Sequence, residues 1–253
     1  MTGTGNNTYL LTSRGAALLV DAGVGERRHL GELDAALRDV GASLERVAVT
    51  HGHRDHASGA PAIAAAHPAS AFAKFPWPEE DAHDAVPWQR IDEGDTMAVG
   101  DEALAVLRTP GHSPDHLAFW HDASGAIFTG DLVVAGSSVM IHASRGGRLG
   151  DYMASLERLL VLGPRVIYPA HGPRIDDPAA VLTTYLSHRR MREGQVIGAL
   201  RAGHDTVDAI AGVIYRTLDP ALIGAARENV RAHLEKLRDE GSATSEDGRW
   251  RLS

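Results

Sequence analysis

The sequence contains no cysteine. Disulfides and thiolate metal ligands are excluded, so any metal held by the chain must rest on nitrogen and oxygen donors. Lysine is nearly absent as well. Only Lys74 and Lys236 occur, and every other basic side chain is an arginine. No apolar run reaches 18 residues, so no membrane-spanning helix is expected. The start, Met1-Thr2-Gly3-Thr4-Gly5-Asn6-Asn7, has neither a basic segment nor an apolar one of signal-peptide type, and a cytoplasmic location is the expectation. Positive charge is not in excess. With 33 acidic and 25 basic residues the net charge is −8, against the basic surface of a tight non-specific nucleic-acid binder.

What is present fits a folded chain. At 253 residues and 43% hydrophobic content there is enough for one large domain, or one domain with a small appendage, without staples. The most informative stretch is Thr50-His51-Gly52-His53-Arg54-Asp55-His56. It follows the apolar run Val47-Ala48-Val49, which reads as a buried strand. A strand ending in Gly and His puts polar groups in the loop at its carboxyl end, where α/β sites usually lie. Neutral imidazoles and a carboxylate suit zinc, iron or manganese.

Strands are expected at Thr8 to Leu11, Ala17 to Val20, Leu104 to Leu107, Leu117 to Trp120, Ala126 to Thr129 and Val166 to Tyr168. Helices are expected over 26–40 with Gly41 as its cap, Pro61 to Ala66, and Tyr152 to Leu162. Residues 74–90, with three prolines and two tryptophans, read as irregular. Four strands end in metal-type residues, at His51, His112, Asp131 and His171. Beyond Asp176 the pattern becomes helical: 178–201, Thr206 to Tyr215 and 220–240, then a strand at Arg249 to Leu252 that pairs back across Asp247-Gly248. Three helices and a hairpin resemble a winged helix. From Asp176 to Ser253 there are 11 Arg plus Lys and 12 Asp plus Glu. That balance argues against DNA binding and for a packing or dimer-forming cap.

The HxHxDH stretch resembles the signature of the metallo-β-lactamase superfamily. Gly5-Asn6-Asn7-Thr8-Tyr9-Leu10, Asp151-Tyr152-Met153-Ala154-Ser155-Leu156, Tyr168-Pro169-Ala170-His171-Gly172-Pro173 and Tyr185 to Glu193 resemble its lactamase-beta-2-like group. The resemblance implies an α/β four-layer αβ/βα sandwich over residues 1–175 and a winged-helix-like domain over 176–253. It implies a dinuclear centre holding two Zn2+, with Mn2+ or Fe as alternatives. His51, His53 and His112 would hold one ion, Asp55, His56 and His171 the other, and Asp131 would bridge them. Ions about 3.5–4 Å apart activate a shared water as the nucleophile. Asp55 and Asp131 are the expected catalytic carboxylates. Asp21 is either a turn residue or, as the resemblance implies, a group orienting the metal loop. His116 is either orienting or substrate-facing. Trp77, Met140, His142, His188 and Arg189 are candidates for the substrate side, with His142 otherwise a surface residue. His29, His67, His83, His121, His204 and His233 are expected to be solvated.

The absence of cysteine and the presence of Asp131 leave β-lactam hydrolysis as a side activity at best. Animal members of the group resemble single-stranded RNA endonucleases, and fungal members resemble carrier-protein thioesterases. RNA cleavage calls for an arginine-lined groove drawing on Arg145, Arg148, Arg174, Arg189, Arg190 or Arg192. Thioester or ester hydrolysis calls for an apolar mouth from Trp77, Trp88, Val139 and Met140. RNA cleavage is the expectation, with (thio)ester hydrolysis as its alternative and a non-catalytic binding protein as a third reading. Two departures from the group are visible: the chain starts almost on its first strand, leaving a sheet edge that a homodimer would cover, and Val133 to Met140 lacks the acidic run often found there.

Overall fold

The computed structural model describes residues 5–81, 86–136 and 138–253. His83 and Ser137 lie outside them. The chain forms two compact units. Met1–Thr109, Asp115–Ser137 and Gly163–Pro178 make the first, and Pro110–Pro114, Ser138–Leu162 and Ala179–Ser253 the second.

In chain order, the first unit opens with β1 (Tyr9–Ser13), β2 (Ala16–Val20), α1 (Arg27–Val40), β3 (Ser43–Ala48), α2 (Arg54–Ala57) and α3 (Ala60–Ala66). It continues with β4 (Ala71–Lys74), α4 (Pro78–Asp81), β5 (Trp88–Arg90), β6 (Thr96–Val99), β7 (Glu102–Arg108), β8 (Leu117–His121) and β9 (Ala126–Phe128). The second unit contributes α5 (Leu149–Leu162). The chain then returns to the first for β10 (Val166–Tyr168). The rest of the second unit is α6 (Pro178–Arg201), α7 (Val207–Ile214), α8 (Ile223–Asp239), β11 (Ala243–Glu246) and β12 (Arg249–Leu252).

Two five-stranded sheets, ordered β1-β2-β3-β4-β5 and β10-β9-β8-β7-β6, build the first unit. Strand β2 shows why they stack. All five of its residues are buried, and its period-2 alternation sends them to two cores. Leu18 and Val20 meet Val106, Leu117, Phe119 and Phe128 of the other sheet. Ala17 and Leu19 meet Leu33 and Leu37 of α1 and Ile63 of α3 on the opposite face. A two-residue turn, Arg14-Gly15 at φ 51° and 79°, links β1 to β2 and matches the twist of a hairpin. Gly41, at φ 63°, ends α1 by donating to the Arg38 and Leu37 carbonyls.

The parallel pairings set the position of the site. β2, β3 and β4 run parallel, and so do β9 and β10. Within each sheet the carboxyl ends of parallel neighbours lie at one end. Asp21 follows β2 there and Thr50 follows β3; Asp131 follows β9 and His171 follows β10. The first loop is packed hard. A Cβ on Gly59 would lie 2.1 Å from the Ala22 carbonyl oxygen, so only glycine fits there.

In the second unit, Val196 and Ala199 of α6, Ile210 of α7 and Val230, Leu234 and Leu237 of α8 close a core capped by Ala243 and Trp250 of the terminal hairpin. Thr206 caps α7 by accepting from the Ala209 amide.

Three features differ from the expectations. β5 and α4 form inside 74–90, where irregular chain was expected. β6 forms as well, in a stretch for which no strand was expected. β5 and β6 mix polar and apolar residues, whereas the similarly short β9 and β10 are apolar throughout and can be read as runs. His233 is not solvated but fully buried, on the α8 face that carries Val230, Leu234 and Leu237. Helical position overrode residue type. Among the described residues no helix is long and apolar enough to cross a membrane.

Candidate metal centre

Asp21 organises the loop after β3. It lies at φ 64°, a conformation Asp tolerates better than most residues, and is 1% exposed. Its carboxylate accepts from the Thr50 amide at 2.8 Å, from Thr50 Oγ1 at 3.0 and 3.1 Å, and from His56 Nδ1 at 2.8 Å. Asp21 thus holds Thr50 and His56, at the two ends of the loop after β3. Thr50 Oγ1 also meets His51 Nδ1 at 3.1 Å. With its Nδ1 proton given to Asp21, His56 turns Nε2 inward.

The inward atoms converge. His51 Nε2 is 2.9 Å from His53 Nδ1. His56 Nε2 is 3.6 Å from Asp131 Oδ1 and 3.8 Å from Asp55 Oδ2. His171 Nε2 is 3.2 Å from Asp131 Oδ1 and 3.3 Å from Asp55 Oδ2. Ligand atoms of His51, His56 and Asp131 lie within 4.8 Å of one another, as do those of Asp55, His56 and His171. His171 is held from behind by the Gly5 carbonyl, 2.8 Å from Nδ1.

His112 belongs to the Pro110–Pro114 segment of the second unit, between Thr109 and Asp115 of the first. Its Nδ1 lies 3.0 Å from the Met140 carbonyl. Ser155 Oγ of α5 donates to the Pro110 carbonyl at 2.8 Å. Gly111, at φ 128°, packs so close to Tyr152 that a Cβ would lie 2.2 Å from its amide nitrogen.

The donor set fits divalent cations. His56 Nε2 is buried with no hydrogen-bond partner and is turned into the cluster. Without a cation, protons take the role. Hydrogen bonds to Asp131 and then Asp55 push His171 up to about 10, against the opposing effect of burial. Burial also opposes charge on His56, yet Asp21 and Asp131 carry its pKa well above the ordinary value. For Asp55 burial is again the largest influence and raises its pKa, but His171 and His56 outweigh it and hold the carboxyl below its ordinary value.

With its pKa raised to about 10 by Asp131 and Asp55, His171 would exchange a proton for any cation it bound. Affinity should therefore rise with pH between 6 and 9, by about tenfold per unit for each proton released. Calorimetric titration with zinc in buffers of different ionisation enthalpy measures the protons. Affinity independent of pH across that range would rule the competition out.

The remaining candidates are distributed as follows. His116 is fully buried, which removes it from the substrate side. It takes Thr109 Oγ1 on one nitrogen at 2.9 Å and accepts the Asp131 amide on the other at 3.2 Å. Trp77 is buried, with its ring 5.9 Å from that of His53. His142 and His188 are partly buried, and desolvation lowers both pKa values, aided at His188 by Arg189 and Arg192. Arg189, expected on the substrate side, is 1% exposed, donates to the Val139 carbonyl and lies over the Tyr152 ring at 5.2 Å. Its long side chain fills the interior of its own unit.

The sequence reading gave no role to two residues it quoted, Asn6 and Asn7. Asn6 Nδ2 donates to the Asp55 carbonyl at 2.5 Å. Asn7 Nδ2 donates to the Pro169 and Gly172 carbonyls at 3.1 and 2.8 Å. The adjacent pair thus braces the loops of Asp55 and His171. Tyr9 adds a bond to the Pro169 carbonyl at 2.6 Å, and burial pushes its hydroxyl up to about 12.

Stacked mixed sheets with a His/Asp cluster at their strand ends define an α/β protein with a potential metal site. Residues 1–171 match the metallo-beta-lactamase superfamily and residues 206–250 match the beta-lactamase associated winged helix domain, and the chain belongs to that superfamily. It is 30% identical over 241 residues to a Beta-lactamase-like protein 2 homolog of Caenorhabditis elegans, covering 94% of this chain and 80% of that protein. It is 32% identical over 197 residues to an Atrochrysone carboxyl ACP thioesterase, AacuM, of Aspergillus aculeatus, covering 78% of this chain and 60% of that one. A metallo-beta-lactamase family protein of Thermus thermophilus, TTHA1429, superposes with a TM-score of 0.79 at 24% identity, over 98% of this chain and 94% of that chain. TTHA1623, in a di-iron-bound form, superposes at 0.58 and 26% identity, over 71% and 93%. The fold is therefore the metallo-β-lactamase sandwich with a helical winged-helix domain, and the superfamily is one of metal-binding hydrolases.

Proposed function

We propose that the chain is a dinuclear metal-dependent hydrolase acting on acyl thioesters or esters. The observation that carries the dinuclear reading is Asp131, one carboxylate within reach of both His56 and His171 and grouped with His51. His51, His53 and His112 would hold one ion and Asp55, His56 and His171 the other, with Asp131 between them. Divalent ions of the zinc, manganese or iron type supply Lewis acidity and a water acidic enough to act near neutral pH. The protein's part is to aim the ligand nitrogens, through Asp21, Thr50, Gly5 and Met140. Asp55, held ionised, suits a ligand better than a base.

The substrate reading rests on the surroundings of His53. Beside it stand Trp77 and the acidic helix α4, whose Glu79 and Glu80 are exposed. An aromatic wall with carboxylates suits an acyl chain and repels a polyanionic backbone. A relative named as a carrier-protein thioesterase supports the same reading. Several arginines required for an RNA groove are engaged within their own units: Arg148 with Asp239, Arg190 with Glu157, Arg174 with Asp176, and Arg189 internally.

The deciding experiment loads the protein with zinc, manganese or iron and presents an acyl-pantetheine thioester and a single-stranded RNA in parallel. Thioester turnover with intact RNA is expected. RNA cutting without thioester turnover would replace the acyl reading by the nuclease one. Neither activity with any metal would undo the hydrolase assignment for this chain.

A further inference from the structure

One of the two lysines is in an unusual place. Lys74, at the end of β4, is 1% exposed, and its ammonium group faces three acceptors. It pairs closely with Asp81 Oδ1, lies 3.5 Å from Asp115 Oδ2 and donates to the Phe75 carbonyl at 3.2 Å. A buried charge costs several kcal/mol unless paired. Three acceptors around one nitrogen suit the three donors of an ammonium ion and not a planar guanidinium. That geometry accounts for lysine at this position in a chain that otherwise uses arginine.

Both carboxylates lead onward. Asp115, 1% exposed, accepts the Gly52 amide on Oδ2 at 2.7 Å. Gly52 stands between His51 and His53. Asp81 Oδ2 accepts the Trp77 amide at 2.9 Å. The two arms meet again at Gly52, where a Cβ would lie 3.3 Å from Asp115 Oδ2 and 3.5 Å from the Trp77 ring.

We infer that Lys74 is a positioning residue. Through Asp115 it fixes the peptide that aims His51 and His53, and through Asp81 it anchors the Trp77 wall beside them. The Asp115 arm serves the metal reading above, on which its consequence for activity rests. The fixing of the loop itself does not need a metal.

The test uses the full chain with Lys74→Met, Asp115→Ala and Asp81→Asn, and Arg28→Ala as an exposed control. Amide hydrogen exchange is measured first on metal-free protein. Exchange at residues 50–53 should rise tenfold or more in Lys74→Met and Asp115→Ala. In Asp81→Asn the rise should fall on the Trp77 amide and spare Gly52. Titration with Co(II) is then read by its visible spectrum: wild type takes up two ions, and Asp115→Ala weakens one of them at least tenfold. If Lys74→Met does not fold, by circular dichroism, Asp115→Ala decides. Folded variants with wild-type exchange at residues 50–53 would overturn the inference. A wild type that binds no metal while the variants still loosen that segment would leave the positioning role standing and remove the dinuclear reading instead.

Discussion

Asp131→Ala is expected to lower kcat/KM by about a thousandfold or more, roughly 4 kcal/mol of transition-state stabilisation, while leaving the thermal melt of the metal-free protein close to wild type. The side chain stands at the mouth of the loop after β9, and its removal leaves the backbone bond from the Asp131 amide to His116 intact. What is lost is a carboxylate grouped with His51 and His56 and 3.2 Å from His171 Nε2. Bound metal should fall from two ions per chain toward one. Asp131→Asn, which keeps the shape and loses the charge, should lie between. Elemental analysis beside steady-state kinetics checks both. Full activity with two ions in Asp131→Ala would end the assignment of a bridging carboxylate.

Asp21→Ala carries the second large effect, and here the fold suffers as well as the site. The substitution strands the Thr50 amide and hydroxyl and His56 Nδ1 in a buried place. It also leaves alanine at φ 64°. Breaking a buried charged network of this kind costs about 3–5 kcal/mol, with about 1 kcal/mol more from the left-handed backbone. Loss of the group that aims His56 should weaken metal binding by about 10–100-fold. Asp21→Asn tolerates the backbone and retains one acceptor, so its melt should stay nearer wild type while its metal affinity still falls. Melting curves with and without zinc separate the two costs. An Asp21→Ala protein with unchanged zinc affinity would show that His56 is aimed by other means.

The His/Asp cluster was legible largely because it is local in the sequence. His51, His53, Asp55 and His56 announce themselves within six positions, and Asp131 and His171 each follow an apolar run. The bracing was not, because it crosses the chain. Asn7 reaches loops 162 and 165 positions away, and Lys74 reaches Asp115 from another strand. No local pattern encodes such pairs. Arg189 misled for a related reason: an arginine among arginines reads as surface, and only the fold shows it turned inward. β5 and β6 escaped because Trp88-Gln89-Arg90 and Thr96 to Val99 are not apolar throughout, unlike the similarly short β9 and β10.

The site draws on both sheets of the first unit: His51 to His56 follow β3, whereas Asp131 and His171 follow β9 and β10. Ions held there would act as a cross-link in a chain with no cysteine to make a covalent one. Closing a loop of about 100 residues removes denatured-state entropy worth about 4–5 kcal/mol in the chain-entropy picture. Stripping the metal would then do to this protein what reduction does to a disulfide-bonded one. It would open a long loop, free two sheet ends together and shorten the lifetime of the folded state.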